Sequence, residues 1–263
     1  MDRVFLDLGF IKIYWYSLML FIAFLLGSGI IFKKAKRYNI DKDFIVDLIF
    51  YTIPISLIGA RIYFVIFNFD YYGQNLLDIF KVWEGGLAIH GGIIAGLIFV
   101  YYYTKKKNEN FILMIDIISI SLILGQAIGR WGNFFNQEAH GGITTLNYLK
   151  SLHIPNFIIE GMYINGNYYL PTFLYESIWC LLGFIILNII INNKNIKVGT
   201  TSAIYLIWYG MERFIVEGYR TDSLMLGSFK MAQIVSIIMI IIGIIVYIIT
   251  RKERKYGDIN ESI

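Results

Sequence analysis

The sequence predicts an all-α polytopic membrane protein with about seven transmembrane helices and a small extracytoplasmic head region. Of the 263 residues, 57% are hydrophobic and only 16% are charged. The mean hydropathy of +0.60 lies outside the range of soluble globular proteins. Apolar runs of about the length of a bilayer crossing recur along the whole chain. The length favours one integral membrane domain, residues 1–263, over two separate domains.

Seven apolar runs are long enough to be predicted spans. Their approximate limits are residues 13–32, 44–67, 87–104, 111–128, 172–191, 199–216 and 230–250. The third and sixth runs are short and are interrupted by His90 and by Glu212 with Arg213. The first run has neither the basic start nor the small-residue cleavage site of a signal peptide, so we expect it to remain as a span.

The basic residues indicate an orientation. Fourteen lysine and arginine residues fall on one predicted side of the membrane and eight on the other. Because cytoplasmic loops carry the excess of basic residues, this distribution places the N-terminus outside and the C-terminus in the cytoplasm. The formal net charge of +4 is small and gives no indication of nucleic-acid binding.

The longest connection, about residues 143–171, falls on the outer side and forms the predicted head. It contains Asn165–Gly166 between the apolar segments 162–164 and 168–170. This pattern predicts a β-hairpin. We interpret the segment as a mobile head above a site.

The segment from Gly129 to Gly142, GRWGNFFNQEAHGG, is the densest polar cluster to follow an apolar run. A guanidinium such as that of Arg130 costs several kcal/mol at the edge of the hydrocarbon unless it has a partner. The amides of Asn133 and Asn136 and the carboxylate of Glu138 follow within eight positions. A solvated surface loop is the alternative, but the interleaved aromatic residues favour a functional site at the level of the lipid.

Two further polar residues interrupt apolar runs. His90 lies between glycines in GGLAIHGG, where an imidazole can approach a ligand and transfer a proton near neutral pH. It can equally be a structural histidine bonded to a backbone carbonyl at a helix contact, and the sequence leaves both open. Arg61 requires a carboxylate, a carbonyl or a phosphate. We expect a carboxylate partner such as Glu176 or Glu138, and Glu176 is a natural counter-ion for an arginine.

The third cluster lies between Trp208 and Ser223. If this segment is helical, Tyr209, Arg213, Glu217 and Arg220 share one face, at steps of four, four and three. A surface row of ion pairs is the alternative. The intervening Phe214, Ile215 and Val216 are apolar, so the stripe is predicted to face a protein interior or a wet cavity. Arg130 and Arg213 can then clamp one phosphate, because the planar guanidinium binds oxyanions through two bonds.

The sequence gives no indication of a metal or cofactor. The three histidines have no metal-binding spacing, and the single cysteine, Cys180, excludes an internal disulfide. The main alternative to a site at one leaflet is a polytopic transporter of a small polar or anionic solute, which would also use intramembrane charges. The charges gather at one predicted leaflet and no repeat relates the two halves, so the transporter is the less favoured reading. A membrane scaffold would leave Arg130, Arg213 and His90 unexplained.

Taken together, three blocks closely resemble the bacterial prolipoprotein diacylglyceryl transferases. They are HGG at 90–92, GRWGNFFNQEAHG at 129–141 and YGMERFIVEGYR at 209–220. The segments WYSLM at 15–19 and GARIYFVIFN at 59–68 are similar to further family motifs, so the resemblance covers nearly the whole chain. The family often has His-Pro-Ser-Gln before its Leu-Tyr-Glu block, whereas residues 170–173 here are LPTF. A role for that histidine is therefore not carried over.

The resemblance implies a transferase of the bacterial plasma membrane that uses no cofactor. Its substrates would be the membrane lipid phosphatidylglycerol and a prolipoprotein signal peptide with a lipobox cysteine. The thiol would receive the diacylglyceryl group as a thioether, and glycerol-1-phosphate would leave. Since the substrate supplies the nucleophile, Cys180 should be dispensable.

The resemblance also implies roles for individual residues. Arg130 and Arg213 would hold the lipid phosphate, and His90 or a carboxylate would assist deprotonation of the thiol. The expected catalytic residues are His90, Arg130, Arg213, Tyr16 and Glu138. The expected substrate-binding residues are Arg130, Asn133, Asn136, Gly141, Tyr209, Arg213 and Glu217.

Overall fold

A computed structural model describes residues 2–220, 225–227 and 229–259. The backbone divides into two compact units. The first comprises Met1–Ile31 together with Ile115–Ile263, and the second is Phe32–Met114. The single membrane domain that the length predicts stays a prediction, and each unit is described below by itself.

The described residues are mostly helical. The helices are α1 (Trp15–Arg37), α2 (Lys42–Phe67), α3 (Phe69–Tyr72), α4 (Ile89–Lys106), α5 (Phe111–Asn136), α6 (Leu146–Ser151), α7 (Asn156–Gly161), α8 (Thr172–Asn192), α9 (Thr200–Tyr219), α10 (Met231–Thr250) and α11 (Tyr256–Ile259). Two 3-10 helices span Leu76–Phe80 and Val82–Glu84. The strands are β1 (Val4–Asp7), β2 (Lys12–Tyr14), β3 (Ile143–Thr144), β4 (Tyr163–Ile164), β5 (Asn167–Tyr169), β6 (Met225–Leu226) and β7 (Phe229–Lys230).

A long helix lies over each of the seven predicted spans. Within the described ranges, five of them are long and apolar enough to cross a membrane: α1, α2, α5, α8 and α10. The prediction of a polytopic all-α membrane protein is confirmed. The helices α4 and α9 correspond to the two interrupted runs, so a total of seven crossings stays a prediction. The largest difference is in α5, which continues to Asn136, so the larger part of the segment Gly129–Gly142 is helical.

In the second unit, α2 and α4 cross at small residues. A Cβ at Gly59 would collide with Ala95 and with the carbonyl of Gly91, and one at Gly91 would collide with Tyr63 and Gly59. Close approach of two helix backbones at glycines is typical of helices packed in membranes, where tight packing replaces the hydrophobic driving force. This crossing places the first turn of α4, which carries His90, beside Tyr63 of α2, with 6.3 Å between the ring centroids.

The first unit is built on α8, α9 and α10, together with most of α5. Glycines again permit the contacts: a Cβ at Gly210 of α9 would meet Ser236 and Ile240 of α10. At the start of α9 the buried Asp116 carboxylate accepts hydrogen bonds from the backbone N–H groups of Gly199 and Ser202. A carboxylate at a helix N-terminus satisfies N–H groups that lack partners within the helix. Asp116 therefore anchors one end of the helix that carries Arg213 at the other.

The head is a small mixed structure in the first unit. The strand order is β3-β5-β4, and both pairings are antiparallel. The predicted hairpin is confirmed, because Ile164 pairs with Asn167 and the intervening Asn165 and Gly166 both have positive φ, at 49° and 85°. A buried apolar cluster joins the head to the ends of α5 and α8; it consists of Phe134, Leu149, Ile154, Ile158, Ile159, Met162 and Phe173. The predicted mobility of the head stays a prediction.

Candidate active site

The first unit brings two arginines from separate helices to one buried carboxylate. Arg130 of α5 places Nη2 2.6 Å from Oε2 of Glu176 in α8. Arg213 of α9 places Nη1 4.0 Å from the same oxygen and Nη2 2.8 Å from Oε2 of Glu217. The exposed fraction is 15% for the Arg130 side chain, 21% for Arg213 and 1% for Glu176. The prediction that Glu176 is the counter-ion of an arginine is confirmed, and Glu176 contacts both Arg130 and Arg213. These four residues form the arginine cluster.

The hydrogen-bonding capacity of the arginine cluster is only partly used. Nη1 of Arg213 and the Oε2 atoms of Glu176 and Glu217 are buried and have no well-aligned hydrogen-bond partner among the described residues. Their contacts are therefore ion pairs and not complete hydrogen bonds. An unpartnered buried guanidinium nitrogen is costly, and an oxyanion would satisfy it, since arginine binds phosphate through parallel N–H bonds.

The packing that holds the arginine cluster comes from α5 and α8. Nε1 of Trp131 donates to Oγ of Ser177, at 3.2 Å, and Oγ of Ser177 donates to the carbonyl of Ala127, at 2.9 Å. These bonds couple the turn of α5 that carries Arg130 to the turn of α8 that carries Glu176. The alignment of the two charges is thereby fixed by neighbours one residue away from each.

A lysine closes the end of α9. Nζ of Lys230 donates to the carbonyls of Glu217, at 2.6 Å, and Arg220, at 3.1 Å. The last carbonyls of a helix have no partner within it, and a cation there also interacts favourably with the helix dipole. Residues 221–224 follow directly and lie outside the described residues, so the last part of the third predicted cluster, up to Ser223, does as well.

The carboxylate of Glu138 belongs to a separate polar group. Its Oε1 accepts from Nδ2 of Asn133, at 3.1 Å, and from Nδ2 of Asn136, at 3.2 Å. Glu138 is exposed. The structure therefore brings together three of the predicted residues at the end of α5, which we name the amide–carboxylate group. Their roles toward a substrate stay predictions.

Tyr16 and Gly141 contact the same region through packing. A Cβ at Gly132 would lie 2.6 Å from Cδ2 of Tyr16, so the glycine makes room for the ring. A Cβ at Gly141 would lie 2.9 Å from Cβ of Leu170, and Gly141 pairs with Arg220 in an isolated β-bridge. This bridge joins the end of the Gly129–Gly142 segment to the end of α9. The two polar segments that the sequence places far apart thus meet within the first unit.

The face of α9 next to the arginine cluster is aromatic. The rings of Tyr205 and Tyr209 are nearly parallel, with centroids 6.0 Å apart. The hydroxyl of Tyr205 accepts from Nε2 of Gln126, at 3.0 Å. Tyr209 lies about one helical turn before Arg213 on α9, so this predicted binding residue borders the arginine cluster.

Arg61 is held differently from the expectation. It lies in the second unit, is 6% exposed and donates to the backbone carbonyls of Asp78, Ile79, Gly85 and Gly86. The prediction that a carboxylate such as Glu176 or Glu138 is the partner of Arg61 is wrong. The reason is local: the loop after α3 folds back so that four carbonyls, which need donors when buried, converge on one guanidinium. The cleft of about 210 Å³ beside Arg61 is also lined by Asp78 and Glu84, which disfavours an anionic ligand there.

His90 lies exposed in the first turn of α4. Among the described residues its ring makes a contact with the ring of Tyr63 and no hydrogen bond. The structural alternative, a His90 side chain bonded to a backbone carbonyl, is therefore not observed among the described residues. Both ring nitrogens are available to a ligand, and proton transfer by His90 stays a prediction.

Comparison with known proteins identifies the family. The model of the family described as "Prolipoprotein diacylglyceryl transferase" matches residues 3–249. The chain is similar to proteins named phosphatidylglycerol–prolipoprotein diacylglyceryl transferase. The one from Staphylococcus xylosus is 50% identical over 98% of this chain and 94% of its own length. The one from Listeria monocytogenes serotype 4b is 47% identical over 94% of this chain and 90% of its own length. The chain belongs to the prolipoprotein diacylglyceryl transferase family.

Membership of this family confirms the resemblance read from the sequence blocks and makes the chain a multi-pass membrane protein of a bacterial enzyme family.

Two residues that border the site were not predicted as parts of it: Glu212, noted only as an interruption of a span, and Lys230. Glu212 falls at helical spacing from Tyr205 and Tyr209, and a carboxylate inside an apolar run is a signal of function. The described residues hold no group of three or more potential metal ligands.

Proposed function

We propose that this protein transfers the diacylglyceryl group of phosphatidylglycerol to the cysteine thiol of a prolipoprotein. The proteins of 50% and 47% identity carry that activity in their names, and this chain covers nearly their whole length. The observation that carries the proposal is the convergence of Arg130 and Arg213 on Oε2 of Glu176. Two guanidinium groups held this close together can bind one phosphate through parallel N–H bonds.

The chemistry follows from what these groups can do. The thiolate sulfur of the lipobox cysteine attacks the carbon of the diacylglyceryl unit that is bonded to the phosphate oxygen. A C–S bond forms, the C–O bond to phosphate breaks, and glycerol-1-phosphate leaves with the electron pair. Arg130 and Arg213 stabilise the negative charge that grows on the leaving phosphate, and preplaced donors in a site of low dielectric are effective in this.

The thiol proton must be removed before attack, since the thiolate is the nucleophile. We assign this step to His90, whose two ring nitrogens are free of hydrogen bonds within the described part of the chain. The amide–carboxylate group of Asn133, Asn136 and Glu138 is assigned to the glycerol headgroup, because carboxylate and amide oxygens accept hydrogen bonds from hydroxyl groups. Tyr209 and Glu217 are assigned to the phosphate site through their positions at the arginine cluster, and Tyr16 to the substrate site through its contact with Gly132 of α5.

The orientation belongs to the proposal as well. The distribution of basic residues supports an outer N-terminus and a cytoplasmic C-terminus. In a Cys180→Ala background, the substitutions Tyr163→Cys and Lys106→Cys provide one thiol on each predicted side. A membrane-impermeant thiol reagent added to intact cells should label the first and spare the second. The reverse labelling would overturn the orientation.

The direct test uses purified protein in detergent micelles with phosphatidylglycerol and a lipobox peptide. We expect the peptide mass to increase by one diacylglyceryl group. Because micelles have no compartments, a transporter would give no product, and this result would overturn the proposal. A peptide with serine in place of the lipobox cysteine is the control for the nucleophile. His90→Ala should lower the rate, and an unchanged rate would remove His90 from the mechanism.

A further inference from the structure

Glu212 is a buried carboxyl group that the reaction as proposed does not use. It lies in α9 beside Arg213 and is 1% exposed. Neither of its oxygens meets a hydrogen-bond donor among the described residues. The carboxyl group of Glu176 is also 1% exposed, and it contacts Arg213, the residue that follows Glu212 in α9. Ionised carboxylates only accept hydrogen bonds, so two buried carboxyl groups at one site can bond to each other only if one of them carries a proton.

The charges around Glu212 come from three helices. Arg130 lies on α5, Glu176 and the thiol of Cys180 on α8, and Tyr205, Tyr209 and Arg213 on α9. The helix α10, which also packs against α9, carries one titratable side chain, Tyr247, which contacts Arg251. The described neighbours of Glu212 are therefore two cations, one carboxyl group, one thiol and two phenols.

The balance of charge depends on Glu212. Glu176 and Glu217 together neutralise Arg130 and Arg213. An ionised Glu212 would add a negative charge that no cation compensates, in the place where an anionic phosphate has to bind. Carboxylates that share a buried site do not ionise together, because repulsion and desolvation both disfavour the second charge. A proton on Glu212 leaves the empty site neutral.

We propose that Glu212 carries a proton, shared with Glu176, while Arg130 and Arg213 bind the phosphate, and that ionisation of Glu212 closes the site to anionic lipid. This inference rests on the proposed function. Glu212 is a positioning residue in it, since it acts through Glu176 and the two arginines. No bond of the substrate forms or breaks at Glu212, and its proton remains in place through the reaction.

The test is the pH dependence of transfer from phosphatidylglycerol to a lipobox peptide by wild type and Glu212→Gln. The glutamine amide has the size of the protonated carboxyl and cannot ionise. At neutral pH we expect kcat and KM for the lipid to stay within a factor of about two, because the amide can still donate to Glu176. At higher pH the wild-type KM should rise about tenfold per pH unit once Glu212 ionises, whereas the KM of Glu212→Gln should stay flat. The matched control is Glu160→Gln, an exposed glutamate of α7, which should follow the wild type.

The separation of KM from kcat is informative, because ionisation of the substrate thiol affects both enzymes alike. If wild type and Glu212→Gln show the same dependence of KM on pH, the inference is overturned. It is overturned too if Glu212→Gln folds but is inactive at neutral pH.

If the variant does not fold, infrared spectroscopy of the wild type tests the protonation of Glu212 instead. The carbonyl stretch of a protonated carboxyl group should be present at neutral pH and disappear on raising the pH, and its absence at neutral pH would contradict the proposal. Failure of the wild type to transfer any lipid would refute the proposed function instead, while the infrared band would still report on Glu212.

Discussion

Arg61 and the pair Arg130 and Arg213 are alike in sequence, since each arginine interrupts a mostly apolar segment, but their surroundings differ. Arg61 donates to four backbone carbonyls and also lies over the ring of Tyr72, 5.0 Å from its centroid. Arg130 and Arg213 instead face carboxylates, and Nη1 of Arg213 keeps no aligned partner among the described residues. A guanidinium whose N–H groups are all bonded to backbone carbonyls stabilises a loop. A guanidinium held by ion pairs can exchange a carboxylate for a phosphate. The type of partner thus separates a structural arginine from a functional one.

The largest effect should follow Arg130→Ala. We expect kcat/KM for transfer to fall by about 10²–10³-fold or more, as when one preplaced charge-stabilising donor is removed. Mass analysis of the lipobox peptide measures this loss. Arg130→Lys should recover only part of the rate, because an ammonium group lacks the planar fork.

A matched double variant separates catalysis from folding. Removing Arg130 alone leaves Glu176 only its longer contact with Arg213, at 4.0 Å, so its buried charge is largely unpaired, which costs about 3–5 kcal/mol of stability. In Arg130→Ala with Glu176→Gln this unpaired charge is absent, so folding should recover while the activity stays low. If the double variant regained full activity, Arg130 would be a structural residue like Arg61, and the contrast between the two sites would fail.

Arg61→Met should show the opposite pattern. The methionine removes the donors of four buried carbonyls, and we expect a loss of stability of about 3 kcal/mol or more. The effect should be greatest in the loop, residues 73–88, and faster amide exchange of this segment would demonstrate it. The turnover of molecules that remain folded should fall far less than in Arg130→Ala. A loss of turnover equal to that of Arg130→Ala, with unchanged loop exchange, would contradict a structural role.

Cys180→Ala should leave transfer unchanged. The thiol is buried, and the substrate cysteine is the nucleophile. The loss of one buried sulfur should cost about 1 kcal/mol of stability, similar to one methylene group. Activity and the thermal midpoint are measured on the same preparation. A folded Cys180→Ala protein without activity would show that the nucleophile comes from this chain.

The smallest effect is expected at the exposed side of the Arg61 loop. Lys81, and then Tyr71, bond to the carboxylate of Asp78 and hold its pKa below the ordinary value. A depressed carboxylate pKa stabilises the fold above the unfolded-state pKa of ~4, and this contribution is lost as the pH falls through the folded-state value. Asp78→Asn should thus match the wild type below this window and be slightly less stable above it. Thermal unfolding as a function of pH measures the difference, and a gap between the two proteins that widened on acidification would have the wrong sign.

Several structural features could be predicted because they depend on local chemistry. The positive φ values that Asn-Gly tolerates predict the hairpin at residues 165–166, and the apolar runs predict the helices. The ion pair of Glu176 also followed from its charge, since a carboxylate in an apolar run needs a cation. In contrast, the partners of Arg61 could not be read from residue types, because every residue carries the carbonyl that satisfies it. Glu212 was underestimated for a similar reason, since its importance depends on the helix that packs against it.

By itself, the sequence determined the class of protein, the positions of the helices and the family, because hydropathy, turn residues and motifs are properties of contiguous residues. Only the tertiary structure decided which charges meet. It showed that Arg130 and Arg213 converge on one oxygen of Glu176, that Gly141 pairs with Arg220, and that Arg61 binds carbonyls. The physical reason is that the energy of a buried charge depends on its neighbours in space within a few ångströms, and the packing of helices far apart in the chain selects those neighbours.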